Sequence, residues 1–426
     1  MNAQKHSTSL YWLTQDLRLD DNPTLIRACE KSEKLILIYT VNPTWFTHSN
    51  FGQLPLGTHR WRFLHQSLMD LQESLMQYGQ HLLLTFDEPI KTISKLIQQY
   101  SITGIFRSLN VGFYEMQDWQ RLQEQHPGVY FEETCSHTLF NQSNLPASLA
   151  NFPSSFSKFR KNIEPLTSRR PLEKPSQLPP PPKSLSMEQA ILLPSYDDYG
   201  IEESRHFNGG STIGKQHLKN YFQSDLPSSY KQVRNALDGW ENSTKFSPWL
   251  ANGCVSPHQI LFQLHEYEMH VESNESTYWI AFELLWREYF QWLAFCYSTC
   301  FFTLGGIKQQ QPTSNHNEKK YVAWCQGQTA YPLVNACMQQ LNITGFMSNR
   351  GRQIVASCFV NELNLDWRYG AAYFEYQLID YDVASNWGNW QYLAGVGTDP
   401  RGQRHFDLKK QMAQFDPDGR FVNHWT

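Results

Sequence analysis

The sequence has few charged residues. Only 18% of its 426 residues are Asp, Glu, Lys or Arg, and the formal net charge at pH 7 is −4. Proteins that bind nucleic acid through a broad basic surface are far more basic than this. If DNA is a partner, we therefore expect it to contact a local basic patch on an otherwise neutral protein.

Signatures of metal sites, nucleotide loops and membrane spans are missing. The eight Cys are scattered without a Cys-x-x-Cys pair, and no His-Glu-x-x-His occurs, so no common zinc motif is indicated. Neither Gly-x-Gly-x-x-Gly nor the P-loop motif follows the first predicted strand. No signal-peptide core and no run of eighteen apolar residues are present. Because free thiols also suit a reducing compartment, we expect a cytoplasmic monomer that does not bind membranes.

Aromatic residues, by contrast, are abundant. They make up 14% of the sequence, and 14 of them are Trp. Trp serves in packing, in stacking on a planar ligand or in electron transfer. A large aromatic core accounts for most of these residues, so composition alone does no more than suggest a ring-shaped ligand.

The first third of the chain predicts an α/β domain. Short apolar stretches alternate with segments of helical period, which indicates a doubly wound parallel sheet with right-handed crossovers. The expected strands are Leu10–Leu13, Lys34–Val41, His81–Phe86, Gly104–Ser108 and Val129–Glu133, and the expected helices are Pro23–Cys29, His59–Tyr78, Pro89–Tyr100 and Glu115–Gln125.

The remainder predicts a linker and an all-helical domain. Residues 141–207 include Pro171, Pro175 and the run Pro179–Pro182, which favours extended, polyproline-like backbone. We therefore assign residues 1–140 to the α/β domain, 141–207 to an interdomain linker and 208–426 to the helical domain. Its expected helices are Gly214–Gln223, Ser256–His270, Ser276–Tyr297, Tyr331–Leu341, Asn349–Leu363 and Ala371–Tyr381.

The segment Ser348–Leu363 combines an apolar helical stripe with a polar first turn. Asn349, Arg352 and Gln353 share one face near the helix N-terminus. There, unpaired N–H groups and the helix dipole favour an anionic or hydrogen-bonding ligand. An ordinary solvated first turn would contain the same residues.

The segment Ser276–Tyr297 brings an aromatic plate next to charged groups. Glu283, Trp286 and Phe290 lie on one helical face, with Arg287 beside it. Stacking and edge recognition of this kind suit a nucleobase. A buried helix with a Glu–Arg pair explains the pattern equally well.

The segment 242–254 clusters hydroxyl groups around one cation. Ser243, Thr244 and Ser247 surround Lys245 ahead of a helix that starts at a proline. Such a turn can offer hydroxyls, N–H groups and a positive charge to a pyrophosphate. Helix capping alone explains two of these residues.

The segment 378–398 begins with two acids that lie two residues apart. Paired carboxylates are typical of glycosidases and of divalent-metal sites. Neither interpretation explains the residues that follow. The acids and their successors are Asp380, Asp382, Asn386, Trp387, Trp390 and Tyr392.

Taken together, these segments resemble the cryptochrome/photolyase family, and cryptochrome DASH in particular. STKFSPWL, ELLWRE, GFMSNRGRQ and DYDVASNWGNW occur in the order and spacing of that family's FAD-binding domain, and Trp12–Leu25 resembles the start of its antenna domain. The resemblance covers nearly the whole chain. It implies an α/β antenna domain followed by an all-helical domain that binds FAD.

The resemblance also implies contacts with FAD. The positions that match its phosphate and ribityl contacts are Tyr230, Ser243, Thr244, Lys245, Phe246 and Ser247. Those that match contacts around the flavin ring are Glu283, Arg287 and Asn349 on the DNA side, the pair Arg352 and Asp380, Asp382 at the polar edge, and Asn386 at N5.

The activity implied by the resemblance is light-driven repair of cyclobutane pyrimidine dimers in DNA by an electron from reduced flavin. Glu283 would hydrogen-bond the dimer, and Trp286 would stack on it. Tyr392 stands where bacterial dimer photolyases carry a second stacking Trp. With only one stacking Trp, the dimer is expected to be held less tightly. Because flipping a base out of a duplex costs free energy, we therefore predict a preference for single-stranded DNA. The other residues expected on the substrate side are Asn349, Arg350 and Gln353.

Two further expectations follow from the resemblance. Trp390 and Trp367 match the proximal and middle members of a three-Trp electron-transfer chain. The surface member is expected near Ser314, where no aromatic residue stands, so either Tyr321 or Trp387 replaces it or photoreduction is poor. The alternative to repair is a blue-light photoreceptor that binds FAD without significant repair.

Members of the DASH branch commonly bind methenyltetrahydrofolate as an antenna between the domains. Glu115 is the candidate acid for its pterin. An exposed Glu in the first turn of a helix is the competing interpretation of this residue.

Overall fold

The computed structural model describes residues 5–145, 149–166, 168–185, 193–194, 206–312, 315–399, 402 and 404–426. The first part of the chain forms a parallel sheet of five strands in the order β3-β2-β1-β4-β5. Helices cover both of its faces, which confirms the predicted doubly wound α/β architecture. The elements are β1 (Ser9–Trp12), α1 (Pro23–Lys31), β2 (Leu35–Val41), α2 (Thr58–Met76), β3 (Leu82–Phe86), α3 (Pro89–Tyr100), β4 (Gly104–Ser108), α4 (Phe113–Gln125) and β5 (Tyr130–Thr134).

The segment 141–207 contains a helix as well as extended chain. Helix α5 (Phe156–Ile163) buries one apolar stripe, formed by Phe156, Phe159 and Ile163. The proline run is attached to the sheet, because the Pro180 carbonyl accepts a hydrogen bond of 3.1 Å from the amide of Leu35. Both features tie the predicted linker to the body of the protein.

Helices make up the rest of the described chain, as predicted. They are α6 (Ser211–Phe222), α7 (Leu226–Val233), α8 (Ser247–Ala251), α9 (Pro257–His270), α10 (Glu275–Tyr297), α11 (Glu318–Cys325), α12 (Pro332–Thr344), α13 (Asn349–Ser357), α14 (Trp367–Gln377), α15 (Val383–Ala394), α16 (Leu408–Phe415) and α17 (Arg420–Trp425). None of these described helices combines the length and apolar character needed to cross a membrane.

The predicted bounds Ala371–Tyr381 are wrong, because the observed helix begins and ends four residues earlier. Helix α14 begins at Trp367, because the carboxylate of Asp366 accepts a hydrogen bond of 3.0 Å from the amide of Arg368 and caps the first turn. It ends at Gln377, and the backbone of Leu378 is extended. The acids after Leu378 therefore lie on a connection between two helices.

The sheet and the helical domain share one continuous apolar core. A buried guanidinium reinforces the junction. Arg18 donates hydrogen bonds to the carbonyls of Ser136 (2.8 Å) and Gly253 (2.9 Å). Gly253 has a φ of +66°, and a Cβ there would lie 1.9 Å from the Gln15 carbonyl oxygen, so only glycine allows this close approach. The two domains are consequently held in a fixed arrangement around the site described next.

Candidate functional site

Three of the four polar segments of the helical domain, on α10, α13 and α15, meet at α15. Helix α10 contacts α7 and α15, and α15 also contacts α13 and α14. The sequence therefore places its candidate residues on neighbouring elements of one region. No group of three or more His, Cys, Asp or Glu in the described ranges is arranged to hold a metal ion.

Arg352 and Asp380 form an ion pair at this junction. The distance from Arg352 Nη2 to Asp380 Oδ2 is 2.8 Å, and the two side chains are 25% and 2% exposed. Arg352 Nε also donates to the carbonyl of Met347 at 2.9 Å. Asp380 Oδ1 is buried and has no hydrogen-bond partner among the described residues. A buried acceptor of this kind needs a donor, which a bound water or a ligand would supply.

Asp382 caps α15 and links it to α10. Its Oδ1 accepts a hydrogen bond of 2.7 Å from the amide of Ser385, and its Oδ2 accepts one of 2.7 Å from Gln291 Nε2. Arg287 Nη2 lies 3.8 Å from the same oxygen. Gln291 was not among the predicted residues, although it lies four positions after Arg287 and therefore on the same helical face.

Asn386 lies one turn further along α15 and is buried. Its Nδ2 donates a hydrogen bond of 3.0 Å to the carbonyl of Ala371. This contact fixes the orientation of the side chain and leaves the carbonyl oxygen Oδ1 to accept a hydrogen bond from an N–H group. Trp390 follows on the next turn and packs against Gly370, where a Cβ would come within 2.2 Å of the indole ring.

Lys245 is a buried cation in the hydroxyl-rich segment. It is 9% exposed, has a φ of +54°, and takes part in none of the ion pairs of the described residues. Burial lowers its pKa to about 8. Its Nζ lies 5.1 Å from the ring centre of Phe346, and the guanidinium of Arg352 lies 5.3 Å from that ring. Lys245 of the hydroxyl-rich segment and Arg352 of the ion pair therefore both lie next to the ring of Phe346.

The other predicted phosphate and ribityl residues are the sequence neighbours of Lys245 and, on α7, Tyr230. Phe246 and Tyr230 are buried, whereas Ser243, Thr244 and Ser247 are half-buried. The carbonyl of Thr244 lies 2.8 Å from His217 Nε2, a hydrogen bond that anchors the turn.

Glu283 forms an ion pair with Arg234 on α7. Burial raises the pKa of the Glu283 carboxyl, and the positive charge of Arg234 opposes this shift. The Arg234 guanidinium also lies 4.4 Å from the ring centre of Trp279. Arg234 was not predicted. The only signal for it is its position four residues after Tyr230, on the same face of α7.

Trp286 is enclosed by aromatic rings. Phe156 of α5 stacks on it, with ring centres 3.7 Å apart and planes 13° apart. Phe290 lies 5.5 Å away, and Tyr392 meets it edge-on at 6.0 Å and 80°. The hydroxyl of Tyr392 accepts a hydrogen bond from Arg404. Phe156 was missed because it belongs to the predicted linker, far from Trp286 in sequence.

The first turn of α13 carries the remaining candidates on the substrate side. Asn349 is exposed, and Arg350 and Gln353 are half-buried. Arg350 Nη2 donates a hydrogen bond of 3.2 Å to Asn235 Oδ1. The helix start is capped by Ser348, whose Oγ accepts a hydrogen bond of 3.1 Å from the amide of Gly351.

Trp390 and Trp367, the residues expected in an electron-transfer chain, are both buried. Trp367 Nε1 donates a hydrogen bond of 3.0 Å to the carbonyl of Leu304. The Trp367 ring lies 5.6 Å from that of Trp387. Ser314, the expected position of the surface member, lies outside the described residues.

Glu115 lies in the first turn of α4 and is half-buried. Burial and the charge of Glu115 raise the pKa of Asp118 to about 6. Across the domain junction, burial raises the pKa of Glu375 on α14 to about 7, with a smaller contribution from Glu115. Glu115 thus belongs to a carboxyl cluster between the domains, and Glu375 is a member that was not predicted.

The residues around α15 fit a flavin nucleotide. Asp380 Oδ1 lacks a donor among the described residues, and Asn386 Oδ1 can accept a hydrogen bond from an N–H group. Lys245 forms no ion pair with a described residue, although the charge of Asp238 acts on it. The N–H edge of an isoalloxazine ring and a pyrophosphate supply these three groups.

Comparisons with known proteins agree with this chemistry. The family model described as the FAD binding domain of DNA photolyase matches residues 279–426, and that described as DNA photolyase matches residues 9–182. The chain is 47% identical over 422 residues to cryptochrome DASH of Idiomarina loihiensis, covering 98% of this chain and 92% of that protein. It is 39% identical to cryptochrome DASH of Synechocystis sp., covering 98% and 87%.

Solved structures show the same similarity. The crystal structure of a Synechocystis sp. cryptochrome superimposes with a TM-score of 0.94 at 38% identity, covering 99% of this chain and 89% of that one. A bacterial class III photolyase from Agrobacterium tumefaciens superimposes with a TM-score of 0.85 at 27% identity, covering 99% and 87%. This chain therefore belongs to the cryptochrome/photolyase family, groups with its cryptochrome DASH members, and contains the family's FAD-binding domain.

Proposed function

We propose that this flavoprotein uses blue light to split cyclobutane pyrimidine dimers in DNA and that it prefers single-stranded substrate. The observation that carries the proposal is the placement of Glu283 beside Trp286 on one face of α10, with Arg234 holding the carboxyl. A photoreceptor that only changes the redox state of its flavin has no need of a hydrogen-bonding carboxyl next to a stacking ring.

In this proposal the chain binds FAD through two groups of residues. Tyr230, Ser243, Thr244, Lys245, Phe246 and Ser247 hold its phosphates and ribityl chain. Arg287, Asn349, Arg352, Asp380, Asp382 and Asn386 surround the isoalloxazine. Reduced FAD supplies the light-driven electron when bound, and the protein supplies orientation and polar tuning. The guanidinium of Arg352 favours negative charge on the ring, and Asn386 Oδ1 accepts from a ring N–H.

The dimer is recognised by Glu283 and Trp286. Because Arg234 pairs with the Glu283 carboxylate, this carboxylate can accept a hydrogen bond from a pyrimidine N–H group. Asn349, Arg350 and Gln353 on the first turn of α13 complete the substrate side. These residues would position a base that has left its stack.

The preference for single strands rests on the geometry of Tyr392. Its ring is edge-on to Trp286 at 80°, and Arg404 holds its hydroxyl. It therefore offers no second plate parallel to Trp286. Because only Trp286 can stack on the dimer, less stacking energy is available to offset the cost of opening a duplex. A single strand avoids most of that cost.

A local basic patch for the DNA backbone lies next to this site. Helix α5 contributes Phe156 to the Trp286 stack and carries the exposed residues Lys158 and Lys161. Arg350 lies on the first turn of α13. These cations support the proposal that DNA meets a local patch on a protein of small net charge.

The test is light-dependent repair of a dimer-containing oligonucleotide by the purified, flavin-loaded protein. We expect faster repair of the single-stranded than of the double-stranded oligonucleotide, and loss of most repair in Glu283→Gln. Met269→Leu, an exposed change on α9, is the matched control and should repair normally. Equal rates on both substrates would contradict the strand preference. No repair despite bound, photoreducible flavin would contradict the enzymatic proposal and favour a photoreceptor.

We also propose a folate antenna at the carboxyl cluster between the domains. The carboxylates of Glu115 and Glu375 can accept hydrogen bonds from the amino and ring N–H groups of a pterin. An additional near-ultraviolet absorption band in the purified protein, absent from Glu115→Ala, is the expected observation. A spectrum that contains only flavin bands would argue against the antenna.

A further inference from the structure

A hollow of about 390 Å³ opens between the loop at residues 50–53 and helices α11 and α14. It lies apart from the residues assigned above to the flavin and the dimer. Much of its wall is aromatic: Phe51, His316, Tyr321 and Tyr369 line it. Aromatic walls around an open hollow suggest a place where a small molecule can approach oxidisable rings.

A series of ring contacts connects the buried Trp367 with this hollow. The Trp367 and Trp387 rings are 5.6 Å apart, and the Trp387 and Phe51 rings are 6.3 Å apart. Phe51 meets Tyr369 at 5.1 Å, and Tyr369 stacks on His316 at 4.3 Å. The aromatic contacts are therefore continuous from the interior to a hollow that is open to solvent.

The hollow is also bordered by His316, two residues after the expected position of the surface Trp. Ser314 itself is outside the described residues, but the chain resumes at Asn315, whose amide donates to the Asn364 carbonyl at 3.2 Å. The next residue, His316, stacks on Tyr369. Tyr369 is thus the oxidisable side chain beside the stretch that lacks the surface Trp.

Tyr321 also borders the hollow, but its hydroxyl is poorly placed for oxidation. A tyrosine that loses an electron at neutral pH also loses its phenolic proton, which needs an acceptor. The Tyr321 hydroxyl is buried beside the uncharged side chains of Gln53 and Cys325, neither of which is a good proton acceptor, and burial raises its pKa. Tyr369 is half-buried and lines the open hollow, where water can accept the proton.

We propose that Tyr369 is the terminal electron donor of this chain and that the hollow admits a small thiol that restores it. The proposal rests on the light-driven flavoprotein function given above. When FAD is bound and excited by light, Trp390 would supply it with one electron. The electron that Trp390 loses would be replaced from Trp367, and that of Trp367 from Trp387, whose ring lies 5.6 Å from it. Trp387 takes one electron from Tyr369 across Phe51, and the phenolic proton goes to water. A thiol then returns one hydrogen atom to the Tyr369 oxygen, and two of the resulting thiyl radicals combine to a disulfide.

A second aromatic route starts at Trp390 and provides the matched control. Trp390 lies 6.1 Å from Trp324, which lies 5.6 Å from Tyr373. The Tyr373 ring is buried, and its hydroxyl donates a hydrogen bond of 2.6 Å to Asn342 Oδ1. Tyr373 is not among the residues that line the hollow, so a reductant in the hollow would not reach it.

The experiment compares Tyr369→Phe with Tyr373→Phe in the flavin-loaded protein. Both changes keep the ring and remove only the hydroxyl, so folding is preserved. We measure flavin photoreduction with dithiothreitol, and the tyrosyl radical by electron paramagnetic resonance after a flash. We expect Tyr369→Phe to slow photoreduction roughly tenfold and to abolish the radical signal, and Tyr373→Phe to stay within about twofold of the parent. In the parent protein, dithiothreitol should speed the decay of the radical.

An unchanged radical in Tyr369→Phe, or its loss in Tyr373→Phe, would overturn the proposal, as would a parent protein that forms no tyrosyl radical. Repair by protein reduced chemically with dithionite does not need the aromatic chain. Tyr369→Phe should therefore repair dimers normally after dithionite treatment. Failure of repair in the dithionite-reduced parent would count against the proposed function alone, because the radical and photoreduction measurements do not depend on DNA.

Discussion

The phenyl ring of Phe156 lies flat against the indole of Trp286, with ring centres 3.7 Å apart. The two residues come from different parts of the chain, one from the segment predicted as a linker and the other from the longest helix of the FAD-binding domain. Phe156 therefore covers one face of the ring proposed to stack on the substrate. The linker segment thus supplies a wall of the site.

Phe156→Ala should destabilise the protein. Removing a buried aromatic side chain leaves a cavity next to Trp286, and such changes typically cost about 3–5 kcal/mol. Urea unfolding followed by Trp fluorescence would measure the change. Phe156→Leu fills most of the volume and should cost less. If the two variants are equally stable, the stack contributes little to folding.

Asp380→Asn should weaken FAD retention. The change removes the charge that holds Arg352, and because Arg352 is 25% exposed, solvent reduces the cost to about 1–3 kcal/mol. The measured quantity is the molar ratio of flavin to protein after dialysis. Asp407→Asn, at the exposed cap of α16, is the control and should retain flavin fully. Full retention by Asp380→Asn would exclude the pair from cofactor binding.

The binding of FAD should depend on the charge of Lys245. Burial lowers the pKa of this residue from 10.5 to about 8, so the apoprotein carries the cation below this pH and loses it above. We expect FAD affinity to fall as the pH rises through about 8, because the neutral amine attracts the pyrophosphate less. Fluorescence titration of apoprotein with FAD measures this effect. In Lys245→Arg, the guanidinium stays charged, and the pH dependence should disappear.

The same residue should affect stability with the opposite sign. Between its folded and unfolded pKa values, Lys245 binds fewer protons in the folded apoprotein than in the unfolded chain. Its contribution to the free energy of unfolding therefore increases as the pH rises from about 8 towards 10.5. Lys245→Met should remove this increase. A parallel pH dependence in parent and variant would show that another group titrates.

Gly370→Ala should disturb Trp390. The added methyl would lie 2.2 Å from the indole ring, so the ring or the backbone of α14 must move, at a cost of about 1–3 kcal/mol. Thermal unfolding and the Trp emission spectrum would report the shift. Gly128→Ala, whose added methyl meets no atom within 4 Å, is the matched control. Unchanged emission in Gly370→Ala would mean that Trp390 does not depend on this contact.

The periodic elements could be predicted from sequence because their signals are local. Strand β4 and helix α3 have the predicted bounds, since a proline starts α3 and the apolar pair Ile105 and Phe106 forms the centre of the buried strand. Helix α14 was displaced because the cap at Asp366 decides its start. The aromatic-rich residues before and after the start of α14 look alike in sequence, so only the capping contact of Asp366 shows where the helix begins.

The order and residue sequences of four motifs were enough to identify the family and its FAD-binding domain. They also identified most of the residues gathered around α15, because those motifs require particular side chains at fixed spacing. The tertiary structure decided which partners these side chains have. Arg234 holds Glu283, and Phe156 covers Trp286. Each pair joins distant parts of the chain, and packing between helices sets its distance, which no local pattern records.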